Sequence, residues 1–304
     1  MSKTLSVRLF FVLLLSGIII FLPGCAKSEN SGEEPPVYSP ARVLTPEAPG
    51  TLTLGSSPLV LDISNQDQGY LTAQSDSEDS RMSIQLTTPS GVLYSYFLAP
   101  KEQAVIPFSE GSGDYVITCY QQINGSQYAA LYSETLTVNL ENEFLPFLYP
   151  NQYVNFSAES EACTLAQSLV TEEMKDVDIL KTFYNYVTSH ITYDYDKANS
   201  VEAGYLPDID ETLRTGTGIC FDYAAVMASM LRCERIPTRL EVGYMGDVYH
   251  AWISTYIKDK GWVNGIIEFD GNDWKLMDPT FASTSSDPKD FLTQTDEYIT
   301  KYVY

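Results

Sequence analysis

Between residues 51 and 145 the chain alternates apolar and polar positions with a period of two, which predicts short half-buried strands. Leu59, Leu61 and Ile63 make one such face and Met82, Ile84 and Leu86 another; Tyr115, Ile117 and Cys119, then Leu136, Val138 and Leu140, repeat it. Turn sequences fall between them: TPSG at 88–91, GSGD at 111–114 and NG at 124–125. Strands at this spacing predict a small antiparallel sandwich. Cys119 continues an apolar face and reads as core. The aromatic, proline-rich stretch FLPFLYPNQYVNF, 144–156, reads as a packed junction.

After residue 157 the period lengthens to that of helices. ESEACTLAQSLV predicts one helix. In DVDILKTFYNYVTSHI, Val177, Leu180, Phe183, Tyr184, Val187 and Ile191 recur at helical spacing, with Asp176 as the N-cap. TYDYD reads as an extended or loop segment. A third helix runs from Cys220 to Cys233, with Cys220, Ala224, Ala228 and Leu231 on one stripe facing the core. Strands follow in TRLEVGY, YHAWISTYI, GWVNGIIEF and WKLMDPTF, and the final YITKYVY closes the sheet.

The first 24 residues are not fold. Lys3 and Arg8 precede an apolar run, Leu9 to Leu22, too short for a comfortable membrane span and fitting a signal segment. LPGC then closes the run and resembles a bacterial lipoprotein cleavage box, in which Cys25 would be lipidated and become the mature N-terminus. Residues 25–50, with prolines at 35, 36, 40, 46 and 49, read as a disordered tether. The domains expected are therefore signal peptide 1–24, tether 25–50, β-sandwich 51–150 and a second domain 151–304.

The 304 residues carry 18 Lys and Arg against 40 Asp and Glu, a net charge of −22. Loss of Lys3 and Arg8 with the leader takes this to −24. Such a surface repels phosphate backbones and offers no basic patch to anionic lipid, so nucleic acid is excluded and membrane attachment rests on the lipid anchor at Cys25. Four further cysteines, 119, 163, 220 and 233, are too few and too widely spaced for a disulfide scaffold. Cys220 and Cys233, on one helix, stand about 20 Å apart and cannot pair with each other. We therefore expect free thiols, explained by packing or by catalysis.

Candidate chemistry gathers around Cys220. It opens its helix, where unpaired N–H groups and the positive dipole end favour thiolate, and Gly216 and Gly218 leave little cover over the sulfur. His250 begins a strand. His190, at a helix end, reads as structural. Asp278 ends a strand and is followed by Pro279. A cysteine attacking, a histidine moving its proton and an aspartate fixing the imidazole tautomer make an activated thiol. The Cys220 N–H is the natural first oxyanion donor; Tyr205 and Tyr195 are candidates for a second, lining the cleft. Asp222 and Tyr223 read as supports of the helix start, and Trp252 and Trp274 as core aromatics. DIDE at 208–211 lacks the spacing of a calcium loop and reads as a solvated loop; two histidines and scattered cysteines make no zinc site, so neither metal nor cofactor is expected.

Residues 160–284, through GTGICFDYAAVMASMLRCERIPTR, YHAWIS and WKLMDPTF, resemble the transglutaminase-like core of bacterial surface proteins, related in fold to papain-type cysteine proteases. The resemblance implies Cys220 as nucleophile, His250 as base and Asp278 as orienter. It departs from the shorter family members in the 28 positions between His250 and Asp278, where VNGIIEFDGND reads as an extra strand and turn. The fold class expected is α+β: a transglutaminase-like, papain-like cysteine proteinase core preceded by a small all-β, Ig-like sandwich. The function expected is a membrane-tethered, cofactor-free thiol hydrolase or acyltransferase outside the cytoplasm. It would act on peptide or glutamine amide bonds, as protease or amidase rather than crosslinking enzyme. Its accessible substrates would be peptides or proteins at the cell surface, cell-wall peptides among them. The alternative is an inactive binding or adhesion module of the same fold.

Overall fold

The computed structural model describes residues 43–202, 204–258, 260–264, 266–269, 274–277 and 298–304. Residues 1–42, with Cys25, and residues 278–297, with Asp278, lie outside the described residues, as do the side chains of 266–269 and 274–277.

Eight strands build the N-terminal half: β1 (Thr53–Ser56), β2 (Leu59–Asp62), β3 (Tyr70–Ser75), β4 (Met82–Thr87), β5 (Leu93–Leu98), β6 (Gln103–Pro107), β7 (Gly113–Asn124) and β8 (Gln127–Val138). They form two antiparallel sheets, β1-β2-β3-β6 and β5-β4-β7-β8. The predicted faces are the buried ones: Leu59, Leu61, Met82, Ile84, Tyr115, Ile117 and Cys119 are fully enclosed in one apolar core. The Tyr115 hydroxyl donates to the Gly111 carbonyl at 2.8 Å, four residues upstream where the chain turns into β7. This is the tyrosine corner of Greek-key sandwiches.

Residues 43–50 depart from the tether reading. Val43 is buried, Glu47 N–H donates to the Tyr70 hydroxyl at 2.9 Å, and Gly50 N–H donates to Asp62 Oδ2 at 2.6 Å. Strand hydrogen bonds are absent there, but one apolar side chain and two side-chain acceptors suffice to hold the segment to the sandwich. Proline content alone missed this.

The C-terminal half wraps helices around one buried helix. α1 (Glu161–Leu169), α2 (Asp176–His190), α3 (Tyr195–Ser200) and α4 (Ile209–Thr215) precede α5 (Cys220–Cys233). α2 begins one residue earlier than read, since Lys175 is its N-cap and Asp176 its first helical residue. α3 replaces part of the expected loop, because Asp194 caps it by accepting the Lys197 N–H at 2.8 Å. DIDE is likewise a helix start, Asp208 accepting the Glu211 N–H at 2.9 Å. Two short strands, β9 (Thr192–Tyr193) and β10 (Thr217–Gly218), pair in parallel just before α5.

α5 is buried on every side past its first turn. All twelve residues from Asp222 to Cys233 are buried, not only the predicted stripe. A helix buried all round needs small side chains where neighbours press close. Ala224, Ala225, Ala228 and Ser229 supply them against α1, α2, α4 and the sheet. That sheet is antiparallel, in the order β13 (Gly261–Asn264), β12 (Val248–Ile257), β11 (Thr238–Met245), β16 (Tyr298–Val303). The final segment therefore does close it, against β11. β14 (Ile266–Phe269) and β15 (Trp274–Met277) pair antiparallel as a separate two-stranded sheet, β14 being the expected extra strand; the expected turn at 270–273 lies outside the described residues.

Both halves belong to one compact unit. Ser109 Oγ donates to the Val303 carbonyl at 2.6 Å, and Val303 N–H donates to the Tyr94 hydroxyl at 3.0 Å. Arg232, fully buried near the end of α5, donates to three carbonyls: Thr238 at 2.9 Å, Tyr149 at 2.8 Å and Tyr304 at 2.8 Å. Burial pulls its pKa down to about 9, which still leaves it charged at neutral pH.

Cys163 of α1 is disulfide-bonded to Cys233 at the end of α5, Cα to Cα 5.5 Å. This corrects the expectation of free thiols at both positions. Spacing gave no pairing; docking of α1 on α5 does. The bridge closes a loop of 70 residues, worth about 4 kcal/mol in the chain-entropy account. A Cys163→Ser/Cys233→Ser variant is expected to lose about 2–4 kcal/mol in chemical denaturation. Non-reducing peptide mapping of the parent protein should recover the 163 and 233 peptides joined.

Candidate active site

Cys220 is the first residue of α5 and partly exposed; of the two free cysteines described, Cys119 is buried in the sandwich. Burial pushes the Cys119 thiol up to about 11, against a hydrogen bond with Tyr132 that opposes the rise. Among the described residues Cys220 is thus the free cysteine that is not buried.

The start of α5 is held by one carboxylate. Asp222, completely buried, accepts from Ile219 N–H at 2.8 Å and Lys197 Nζ at 2.7 Å through Oδ2, and from the Tyr205 hydroxyl at 2.5 Å through Oδ1. The first bond is half of a capping box, and the acid also suits the positive end of the helix. Gly218 makes room for it: a Cβ there would lie 2.8 Å from the Asp222 Cβ. Tyr223 adds a bond from its hydroxyl to the Ile191 carbonyl at 2.6 Å, tying the helix to the end of α2. Asp222 and Tyr223 therefore support the helix start as read; Lys197 was missed, since a lone lysine on a short helix carries no signal in the sequence.

Tyr205 has its single hydroxyl proton on Asp222, so the structure puts it in the support of the helix and not at an oxyanion. Tyr195 opens α3, largely exposed, its ring edge-on to Tyr193 at 4.9 Å. Neither is placed against the thiol by any described contact. His190 ends α2 with its ring stacked on Tyr186 at 3.9 Å, which fits its structural reading.

The surroundings of Cys220 are tyrosine-rich. Tyr153 stacks on Phe221 at 5.9 Å and leans on Tyr304 at 4.0 Å. Tyr249 of β12 is close enough to the thiol to feel it: burial, then the Tyr302 and Tyr244 phenols, then Cys220 all raise the Tyr249 pKa. α5 packs against β12, the strand that carries Tyr249 and His250. A strand sends consecutive side chains to opposite faces. Ala251 and Ile253 join the core around α5, so Tyr249 shares their face. His250 is on the other face with Trp252, the rings 6.3 Å apart, and both are buried. Trp252 is a core aromatic as read. Trp274 lies in β15, where only the backbone is described, and Asp278, one residue past that strand, lies outside the described residues.

The described arrangement is a supported helix start, an accessible thiol at its tip and a histidine-bearing strand beside it. Residues 163–265 match the family model of the transglutaminase-like superfamily. The chain carries a transglutaminase-like domain. That domain's match takes in Cys220 and His250 and stops short of Asp278. Similar solved structures include a Cytophaga hutchinsonii protein proposed to be a cysteine protease, at 17% identity and TM-score 0.36, covering 70% of this chain and 74% of that one. A red sea bream transglutaminase shares 14% identity at TM-score 0.32, covering 71% and 48%. A Parabacteroides distasonis protein proposed to be a protease shares 15% at TM-score 0.29, covering 59% and 36%. The chain thus spans about half or less of the latter two. These likenesses are too distant to carry an argument about chemistry. No curated protein matches this chain.

The Asp222 cluster has a pH signature. Burial pushes the Tyr205 phenol up to about 12, and the Asp222 carboxylate adds to the rise. Burial lowers the Lys197 pKa, but hydrogen bonds to Asp222 and Tyr205 outweigh it and leave the ammonium above its usual value. Both folded pKa values are raised, so their contribution is complete below pH 10 and is lost as pH climbs towards 12. Tyr205→Phe should flatten that alkaline loss in denaturation curves. Asp222→Ala should cost about 3 kcal/mol at neutral pH, because it strands the Lys197 charge and the Ile219 N–H.

Proposed function

We propose that the protein is a cysteine-type acyl-transfer enzyme with Cys220 as nucleophile. The observation that carries the reading is the accessible Cys220 thiol at the first residue of a capped, buried helix, inside the matched transglutaminase-like segment. Sulfur attacks an amide carbonyl; the oxyanion collapses to a thioester as the amine leaves with a proton. Water then gives hydrolysis, while an incoming amine would give transamidation. Peptide or glutamine amides are the substrates of this reading, and hydrolysis is favoured because keeping water out needs a dry tunnel. His250 is the proton carrier and Asp278 its orienter. This assignment asks most of His250, whose imidazole has to reach the thiol from the opposite face of β12.

That same pleat supports a second reading, a binding module that keeps the transglutaminase-like fold without its chemistry. Alkylation of Cys220 by iodoacetamide, followed by mass spectrometry across pH, separates the two. An activated thiol reacts well below the free-thiol pKa near 8.5, and His250→Ala slows it about tenfold or more at pH 6. A rate that simply follows an ordinary thiol, indifferent to His250→Ala, sinks the enzyme reading and leaves the binding module.

We place the protein outside the cytoplasm, lipid-anchored through Cys25. The Cys163–Cys233 bridge supports this, since disulfides persist in oxidising compartments. Among the described residues no helix is long and apolar enough to cross a membrane. Cys25→Ser should release the protein from the membrane fraction or leave it unprocessed; normal processing with undiminished membrane retention contradicts the anchor.

A further inference from the structure

One row of side chains on the Cys220 side of the sheet is left unused by the acyl-transfer chemistry. The two-residue turn Gly246–Asp247 folds β11 onto β12 so that Tyr244 stands opposite Tyr249, and β16 places Ile299 opposite Tyr244. Directly opposite residues of antiparallel strands share a face. Tyr249, Tyr244 and Ile299 therefore run in a line across three strands. All three are unusually open for their type, at 56%, 39% and 49% exposure. The two rings meet edge to face at 5.3 Å, a packed pair rather than two loose side chains. Glycine at 243 lets β16 approach this closely, since a Cβ there would collide with the Ile299 carbonyl. Exposed apolar side chains that are contiguous, ordered and next to a reactive group mark a binding surface.

We propose that Tyr249, Tyr244 and Ile299 form a specificity subsite. It receives a large apolar or aromatic side chain on the residue that donates the acyl group to Cys220. The inference rests on the acyl-transfer reading of Cys220 and names the substrate class for it: peptides with an aromatic or large aliphatic residue at the scissile amide. Three features favour that occupant. The row begins at Tyr249, on the strand against which α5 packs and within electrostatic reach of Cys220, so a side chain lying along it directs its own carbonyl towards the sulfur. The row contains no charged group to recognise an acidic or basic side chain. Its two edge-to-face rings offer an aromatic guest a third position in the same packing geometry.

The test uses the full-length protein and two chromogenic esters, the p-nitrophenyl esters of N-blocked phenylalanine and N-blocked glycine. The Cys220 thiolate attacks the ester carbonyl, forms the thioester and expels p-nitrophenolate, which is followed by its colour. Cys220→Ser sets the background. We expect kcat/KM for the phenylalanine ester to exceed that for the glycine ester about tenfold or more, in the range set by filling an apolar pocket. Tyr249→Ser combined with Tyr244→Ser should bring the ratio towards one, mainly through KM, and Ile299→Ser should reduce it in part. All three positions are exposed, so the variants keep their fold. Acylation without preference in the parent protein, or a preference that survives the double variant, overturns the subsite alone. No acylation by either ester, with Cys220 still alkylated by iodoacetamide, removes the acyl-transfer reading and the subsite with it.

Discussion

The buried carboxylate of Asp222 is the constraint from which the rest of the site follows. It accepts three hydrogen bonds from three separate segments: the residue before α5, the short α3 and the loop before α4. A charge with no exposure is tolerable only when it is paired and hydrogen-bonded, so those segments have to converge wherever α5 begins. Once they do, the sulfur at the first helical residue cannot wander. At the other end α5 is fixed by the bridge from Cys233 to Cys163 and by the three carbonyls around Arg232. One helix, pinned at both ends, carries the thiol; everything else packs against it.

Much of this was legible in the sequence because its cause is local. Period-two alternation marked the buried strand faces of the sandwich, and the turn residues at 88–91, 111–114 and 124–125 separate the strands they were expected to separate. The span of α5 was readable from its two glycines and its apolar run. The final strand closing the sheet followed from its alternation. What was hidden depends on three-dimensional company. The pairing of Cys163 with Cys233 needs α1 laid on α5, and four cysteines alone do not select it. Lys197 matters only because Asp222 is buried beside it. The Asp194 and Asp208 caps turned expected loops into helices through single hydrogen bonds.

The thiol site shows the same division. Cys220 at a helix start and Asp222 as its support could be read from their positions. The face on which His250 falls could not, because a strand's parity has meaning only once the register with β11 is known. The tyrosine row had a sequence signal that went unread. In YMGDVY a two-residue turn sits at the centre of a symmetrical pair of tyrosines, and folding about it must bring Tyr244 against Tyr249.

The strand β16 has a further consequence, in time rather than space. It pairs with β11 across more than fifty intervening positions, Met245 opposite Tyr298, and it brings the carbonyl of Tyr304 to Arg232. A polypeptide emerges from its N-terminus first. Until the 298–304 segment arrives, β11 has a bare edge and the guanidinium lacks one of its acceptors. The sandwich, by contrast, can close early from contacts already present. Maturation of the sulfur-bearing half is therefore coupled to arrival of that distant strand, which delays its assembly until most of its potential neighbours are already folded.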